Sequence, residues 1–239
     1  MKRILIFVLF LISSLSTSVW ALDDVRCGEL LPKGLVFAQD CQSIRGTGKL
    51  NLYTLPARAP YGLVNALVTM PAGTNAKWVV DTASGTLKVE TASLGIFIGG
   101  GTAPSRPVLI NYLGQVANYG IVPNSLSPYD GRPLDILVLG GPMLRGSVTP
   151  VKLIGAIQVE AFGSTTVKLL AVLPGTYLGD NVNDLDGLDA VAPGVKTIVQ
   201  TWLENASAQG VPSTATILDL GTAYAVLDAS VTNVVVLGN

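Results

Sequence analysis

Apolar and polar residues alternate in short runs along most of the chain after residue 62, a pattern typical of half-buried β-strands. The segments between these runs are rich in Pro, Gly, Thr, Asn and Ser, which is the composition of turns. The pattern therefore predicts a β-dominated fold. The predicted strands lie at 63–70, 77–81, 86–90, 135–141, 147–162 and 167–173, with two further strand-like segments in the tail at 215–221 and 233–239.

The period of the apolar positions changes once, near residue 195. From there, five apolar residues recur at the spacing of one helical face and predict an amphipathic helix over about residues 194–208. These residues are Val195, Ile198, Val199, Trp202 and Leu203. Many short strands followed by one helix favour a barrel-like sheet that is capped by the helix.

The first 21 residues have the pattern of an export signal. A basic start at Lys2 and Arg3 precedes an apolar run at 4–12, and the small residues around Ala21 suit cleavage after that alanine. The run is short for a membrane span, so no stable span is expected after cleavage, and an uncleaved anchor stays the alternative. We therefore predict an exported protein, periplasmic or extracellular, and a cytoplasmic one only if this interpretation is wrong.

The next segment, residues 22–61, is turn-rich and carries both cysteines of the chain. In an oxidising compartment Cys27 and Cys41 are expected to form a disulfide, and closing that loop contributes about 3 kcal/mol in the chain-entropy model. Two free thiols in a redox or metal-binding role are the alternative, but the spacing does not match such motifs. The predicted organisation is a signal at 1–21, an N-terminal extension at 22–61 and a main domain at 62–239.

Composition excludes several classes of function. The chain has 239 residues, of which 49% are hydrophobic, and it contains no histidine, which removes Ser-His-Asp catalysis and the usual zinc sites. Loss of the signal leaves 13 basic against 16 acidic residues, a formal charge of −3. With no basic patch and no interleaved aromatic residues, nucleic acid is not an expected partner.

Five segments in order resemble motifs of the family I soluble inorganic pyrophosphatases. The segment MPAGTNAKWVVDTASGTLKVE is similar to the family's IPKGSxxKYExDxxTGxxxVD, and ANYGIVPNSL is similar to ANYGFIPxTL. Likewise DGRPLDILVLGG resembles the DGDPLDVLVLG signature. The last two segments are LRGSVTPVKLIGAIQ, which resembles xPGxVxxxRxIGxLxM, and VKLLAV, which resembles DxKIIAV. The segments start at residues 70, 117, 130, 144 and 167.

The resemblance implies a mainly β (α+β) fold, a closed five-stranded OB-like β-barrel with flanking helices. It also implies the family reaction, the Mg²⁺-dependent hydrolysis of diphosphate to two phosphates, and a homo-oligomer as the default assembly. The residues that match the phosphate-binding positions of the family are Lys77, Arg106, Tyr119 and Lys168. The two lysines could equally be edge charges of strands, and Tyr119 a packing aromatic.

The positions that correspond to metal ligands have mostly lost their carboxylates. In residues 130–135, DGRPLD, which we call the signature strip, Asp130 and Asp135 remain. Arg132 stands where the family has its middle aspartate, a metal ligand and candidate base. In the next acidic loop, Ala161 and Thr166 occupy the ligand positions, and Glu160 could replace one of them after a shift of one residue. The candidates are thus Asp130, Asp135 and Arg132 as catalytic residues, and Asp130, Asp135 and Glu160 as metal ligands.

A guanidinium in the signature strip opposes the family reaction. A guanidinium stays protonated at any physiological pH, so it cannot accept a proton from water, and its charge repels Mg²⁺. We expect hydrolysis of diphosphate to be weak or lost. The alternative is a protein that binds diphosphate or another phosphorylated anion, with Arg132 in place of lost metal charge, or that keeps only a structural role. Taken alone, Arg132 could also be a solvated surface charge and Asp130 an ordinary turn residue.

Overall fold

The computed structural model describes residues 29–93, 105–206 and 213–237, with side chains up to residue 231 in the last segment. The predicted signal and Cys27 lie outside the described residues. Export and the disulfide with Cys41 therefore stay predictions, as does the division of the chain at residue 61.

The described residues form twelve strands and four α-helices. The strands are β1 (Leu35–Phe37), β2 (Ser43–Gly46), β3 (Val64–Met70), β4 (Trp78–Val80), β5 (Leu87–Val89), β6 (Thr91–Ser93), β7 (Ser105–Pro107), β8 (Asn118–Ile121), β9 (Asp135–Leu139), β10 (Val148–Ala161), β11 (Ser164–Val172) and β12 (Ser213–Leu218). The helices are α1 (Tyr177–Asn181), α2 (Leu185–Val191), α3 (Val195–Asn205) and α4 (Leu220–Leu237).

Five strands close into a hydrogen-bonded ring. They follow one another in the order β11, β9, β8, β3 and β10, and β10 pairs again with β11. The β9–β11 pair is parallel, whereas the other pairs of the ring are antiparallel. The prediction of a mainly β fold with a closed five-stranded sheet and flanking helices is confirmed.

The long strand β10 makes this closure possible because it pairs on two sides of the ring. Its first part, Val148–Val151, pairs with β3, and the part from Lys152 onward pairs with β11. The register shifts between Leu153 and Gly155, where a bulge bends the strand. A Cβ on Gly155 would lie 2.6 Å from the side chain of Leu185, so only glycine lets α2 pack this closely on the bend.

Alternate residues of the ring strands pack into different hydrophobic clusters of the core. On β9, Ile136 and Val138 belong to the cluster that includes α4, whereas Leu137 and Leu139 belong to the cluster that includes α3. This alternation is the period of a strand that is buried on both faces. A third cluster contains residues from the predicted N-terminal extension, such as Ile44, packed with residues from β3 to β5.

The amphipathic helix predicted near residue 195 is present as α3. Val199, Trp202 and Leu203 are its buried residues, and the indole Nε1 of Trp202 donates to the carbonyl oxygen of Leu113 at 3.0 Å. These contacts hold the helix against the segment that precedes β8.

The prediction of a strand at 233–239 is wrong for residues 233–237, which continue helix α4. The carboxylate of Asp219 caps this helix by accepting from the backbone N–H of Thr222 at 2.7 Å. Ala223, Val226 and Leu227 then recur at helical spacing and are buried in the core, so packing outweighs the β-preference of the valines that follow. Within the described ranges, no helix is both long and apolar enough to cross a membrane.

Candidate functional site

Two cavities that share lining residues bring most of the predicted site residues together. Their volumes are about 610 and 470 Å³, and both are lined by Lys77, Tyr119 and Arg132. Lys168 lines the larger cavity and Asp135 the smaller one. We refer to the two cavities together as the cleft. Five residues that are distant in sequence thus share one concave site.

The register of the ring strands creates a compact cluster of Lys168, Asp135 and Tyr119. Lys168 and Asp135 are direct partners in the parallel pair of β11 and β9, and Tyr119 lies on β8, the next strand. The Nζ of Lys168 donates to Asp135 Oδ2 at 2.6 Å and to the hydroxyl oxygen of Tyr119 at 3.1 Å. The Lys168 side chain is only 13% exposed, so this ion pair is largely shielded from water.

This environment shifts two pKa values in the same direction. Burial by itself lowers the pKa of Lys168, but the charge and hydrogen bond of Asp135 outweigh it and raise the pKa above its ordinary value. Burial, and then the charge of Asp135, raise the pKa of the Tyr119 hydroxyl. Both groups therefore keep their protons to higher pH in the folded protein than in the unfolded chain.

The cluster predicts a specific loss of stability in alkali. Unfolded Lys and Tyr titrate near pH 10, so above that pH the folded state holds more protons and the free energy of unfolding falls as pH rises. The contribution of the cluster to the free energy of unfolding is fully present below about pH 10. Replacing Lys168 by Met is expected to reduce the slope above pH 10 by about one proton, or about 1.4 kcal/mol per pH unit. Urea titrations at several pH values measure this slope.

The matched control for this experiment is Lys88→Met. Lys88 also pairs with an aspartate, at 2.6 Å from Asp81 Oδ2, but its side chain is 50% exposed. The slope of this variant should equal that of the wild-type protein. An unchanged slope in the Lys168 variant would contradict the proposed protonation of the cluster.

Lys77 directly precedes β4 and forms an ion pair with Glu90, a carboxylate that the sequence motifs do not indicate. Its Nζ lies 2.8 Å from Glu90 Oε2, and both side chains are more than a third exposed. The backbone N–H of Glu90 also donates to the carbonyl oxygen of Lys77 at 2.8 Å. Glu90 lines the smaller cavity. The signal that could have revealed it is the cross-strand position of residue 90 opposite residue 77, which follows from the pairing of Trp78 with Val89.

The signature strip forms a turn in which Asp130 and Arg132 bind each other. The backbone N–H of Arg132 donates to Asp130 Oδ1 at 3.2 Å, and the guanidinium Nε and Nη2 lie 2.8 and 2.7 Å from Oδ2. Burial alone lowers the pKa of Arg132, but the hydrogen bond and charge of Asp130, with the charge of Asp135, raise it. Arg132 is therefore a permanent cation at the edge of both cavities, and the turn chemistry of Asp130 is present beside it.

Three predicted site residues are not among those that line the cleft: Asp130, which is bonded to the lining residue Arg132, and Arg106 and Glu160. Arg106 is an exposed residue of the short strand β7, which pairs with β6. Glu160 is an exposed residue near the end of β10, and its Oε1 accepts from the side-chain amide of Gln158 at 3.0 Å. The roles of Arg106 and Glu160 in binding substrate or metal stay predictions, with no support from this placement.

The carboxylates near the cleft do not fit a magnesium cluster. Asp130, Asp135 and Glu90 are each bonded to a cationic side chain, so their oxygens are already engaged with positive charge. In the part of the chain that the structure describes, no three Asp, Glu, Cys or His side chains come together as a possible ligand set. Mg²⁺ sites are built from carboxylate oxygens, substrate phosphates and water. The donor chemistry of the cleft therefore opposes several bound Mg²⁺ ions.

The fold is similar to that of solved structures of inorganic pyrophosphatases. The structure from Thermus thermophilus superposes with a TM-score of 0.62 at 24% identity, covering 77% of this chain and 99% of the other. An N-terminally truncated vacuolar soluble pyrophosphatase of Trypanosoma cruzi, solved in complex with PPi, gives a TM-score of 0.65 at 20% identity and covers 79% and 77%. The closed ring with its flanking helices is thus a pyrophosphatase fold.

Sequence comparison leads to the same family. The family model for inorganic pyrophosphatase matches residues 66–233. The inorganic pyrophosphatase of Campylobacter jejuni is 34% identical over 144 residues, which is 58% of this chain and 73% of that protein. The chain belongs to the inorganic pyrophosphatase family.

Proposed function

We propose that this protein binds phosphate-type anions in the cleft without a magnesium cluster, and that it hydrolyses diphosphate weakly or not at all. One observation carries the proposal: each carboxylate that lines the cleft or is bonded to a lining residue is paired with a cation. Asp130 is bonded to Arg132, Asp135 to Lys168, and Glu90 to Lys77. The cleft therefore holds positive charge on protein side chains rather than ligands for metal ions.

Loss of turnover follows from what the family reaction requires. Metal-assisted hydrolysis needs a bound water with a lowered pKa and a carboxylate that accepts its proton. Arg132 stands at the position of the family's middle aspartate and is a permanent cation, so it can do neither. At 4 Å, a unit charge repels another by about 4 kcal/mol at an effective dielectric near 20, and a divalent ion doubles this. Exposure of the guanidinium reduces the repulsion but leaves its sign.

Anion binding uses donors that remain after the ion pairs are formed. An ammonium has three N–H donors, and Lys77 gives one of them to Glu90. The guanidinium of Arg132 has five, and its Nε and Nη2 face Asp130. Hydrogen bonds between charged groups contribute about 1.5–3 kcal/mol each. Because three carboxylates offset the three cations, we expect a modest affinity, with a Kd on the order of 0.1–1 mM.

Calorimetric titration of the purified protein with diphosphate and with phosphate in EDTA tests this proposal. Binding is expected without divalent metal, and Lys77→Met should weaken it about tenfold through the loss of one charged hydrogen bond. Lys88→Met, which removes an exposed lysine outside the two cavities, is the matched control and should bind as the wild type does. Binding that requires Mg²⁺ and is accompanied by rapid release of phosphate would show a working pyrophosphatase and overturn the proposal.

We also propose export to the periplasm or the outside of the cell, cleavage after Ala21 and a Cys27–Cys41 disulfide. These rest on the sequence of the first 41 residues. N-terminal sequencing of the protein recovered from the expressing cells, together with thiol labelling under denaturing conditions, tests them. An intact N-terminus in the cytoplasm with two reactive thiols is the result that contradicts export.

A further inference from the structure

The larger cavity of the cleft has an extensive apolar lining beside its cations. Lys77, Arg132 and Lys168 share it with Val159, Phe162, Trp202 and other apolar residues. In the family resemblance, the hairpin between β10 and β11 is where an acidic loop is expected, and here it carries Ala161 and Phe162. The volume of about 610 Å³ is in the range of sites for small organic ligands.

Phe162 is held in a conformation that its own chemistry does not favour. It is the first of two residues in the turn of the β10–β11 hairpin, where Ala161 pairs with Ser164. Its φ is +55°, in the left-handed region that favours Gly, Asn and Asp, and Gly163 follows with a φ of +72°. An asparagine would form this turn with less strain. The turn itself therefore gives no reason for an aromatic residue.

The exposure of Phe162 adds a second unfavourable feature. The residue is 69% exposed, so its ring gains little from burial in the folded chain. An aromatic side chain that is strained and solvated, yet lines a cavity, indicates a contact that forms only when something occupies the cavity. Trp202 offers a second aromatic surface in the same cavity, and its Nε1 is already bonded to the carbonyl of Leu113. The tryptophan therefore contributes an apolar ring and no free N–H donor.

We propose that the natural ligand of the cleft is an organic phosphate, a phosphate monoester that carries an aromatic or similarly compact apolar group. This inference rests on the proposed function, since it places the phosphate against Lys77, Arg132 and Lys168. The apolar group then lies against Phe162 and Trp202, and its binding covers the phenylalanine. An inorganic anion leaves that part of the cavity to water.

Titration with three probes in EDTA tests the proposal on the wild-type protein. The probes are inorganic phosphate, phenyl phosphate and phenol. Phenyl phosphate is expected to bind at least tenfold more tightly than phosphate, because burial of one ring against apolar surface favours the ester. Phenol is expected to bind more weakly than phenyl phosphate, because it lacks the anionic group.

The variant Phe162→Asn separates ligand binding from folding. Asparagine suits a positive φ, so this variant is expected to fold with a melting temperature at or above that of the wild type. The ratio of the two affinities, phenyl phosphate over phosphate, should fall to about threefold or less. Tyr61→Asn is the matched control: Tyr61 also has a positive φ of 61° and is 99% exposed, but it does not line the cleft. That variant should keep the wild-type ratio.

The possible results distinguish this inference from the function on which it rests. If phosphate binds and phenyl phosphate binds no more tightly, the organic ligand is wrong and the anion site stands. If neither binds, both proposals fail. If phenol binds as tightly as phenyl phosphate, the cations contribute nothing and the inference is overturned. The inference is also overturned if Phe162→Asn leaves both affinities unchanged and alters only the sedimentation of the protein. Phe162 would then contact a second copy of the chain rather than a ligand.

Discussion

Replacing Arg132 by aspartate is expected to raise the affinity of the protein for Mg²⁺ by about thirtyfold. The substitution removes the cation that is bonded to Asp130 and supplies a third carboxylate beside Asp130 and Asp135. Coulomb's law gives about 8 kcal/mol for a unit charge and a divalent ion 4 Å apart at an effective dielectric near 20. The Arg132 side chain is 66% exposed, so solvent screening reduces this strongly, and about 2 kcal/mol corresponds to the stated factor.

Calorimetric titration with MgCl₂ measures this affinity, and release of phosphate from diphosphate is followed in parallel. Arg132→Met, which removes the charge without adding a carboxylate, should lie between the wild type and Arg132→Asp. Arg58→Asp is the control for charge alone, because Arg58 pairs with Asp228 at an exposed position outside the two cavities. A wild-type protein that binds Mg²⁺ as tightly as Arg132→Asp, or releases phosphate faster, would refute the role given to Arg132.

The strands could be predicted because their burial imposes a simple period on the sequence. Val64–Met70 and Asp135–Leu139 are apolar runs between turn residues, and both are strands of the ring. The strand β8 was missed because its four residues, Asn118–Ile121, include Asn and Gly, which have low β-propensity. Its pairing with β3 depends on Gly120, where a Cβ would lie 2.2 Å from the carbonyl oxygen of Leu67. Such a close approach of two backbones leaves no periodic signal.

The wrong prediction at the C-terminus has a different cause. The valines at 234–236 have high β-propensity, and a short window around them indicates a strand. The helix is determined by residues further back, namely the Asp219 cap and the buried positions Ala223 and Leu227. Tertiary packing of this kind overrides local preference.

For the cleft, most of the residues could be predicted from the sequence, but the ion pairs between them could not. The ordered motifs led to Lys77, Tyr119 and Lys168, which the structure brings together. Glu90 and the binding of Asp135 to Lys168 depend on strand register, which the motifs do not contain. The pairing matters for function because a carboxylate that is bonded to a lysine is a poor ligand for a metal ion. Without the strand register, Asp135 would still be predicted as a metal ligand, because its bond to Lys168 would not be known.

The largest loss of stability is expected on replacing Arg145, whose side chain is completely buried. Its guanidinium stacks over the ring of Trp78 at 4.5 Å, donates to the carbonyl oxygen of Thr69 and lies 3.3 Å from Glu29 Oε2. Arg145→Met keeps the apolar stem but leaves a buried carbonyl without this donor and removes the stacked cation. We expect the free energy of unfolding to fall by about 3 kcal/mol, measured by urea titration.

The partners of Arg145 explain why this change should also affect the cleft. Trp78 follows Lys77 in the chain, and Thr69 and Trp78 both line the smaller cavity. Because Glu29 is 28% exposed, water compensates part of its lost ion pair, and the double variant Arg145→Met with Glu29→Gln should recover no more than about 1 kcal/mol. Arg58→Met, which breaks an exposed pair, should change stability by less than about 1 kcal/mol. A loss below about 1 kcal/mol for Arg145→Met would show that the contacts of the buried guanidinium with Thr69 and Trp78 contribute little to stability.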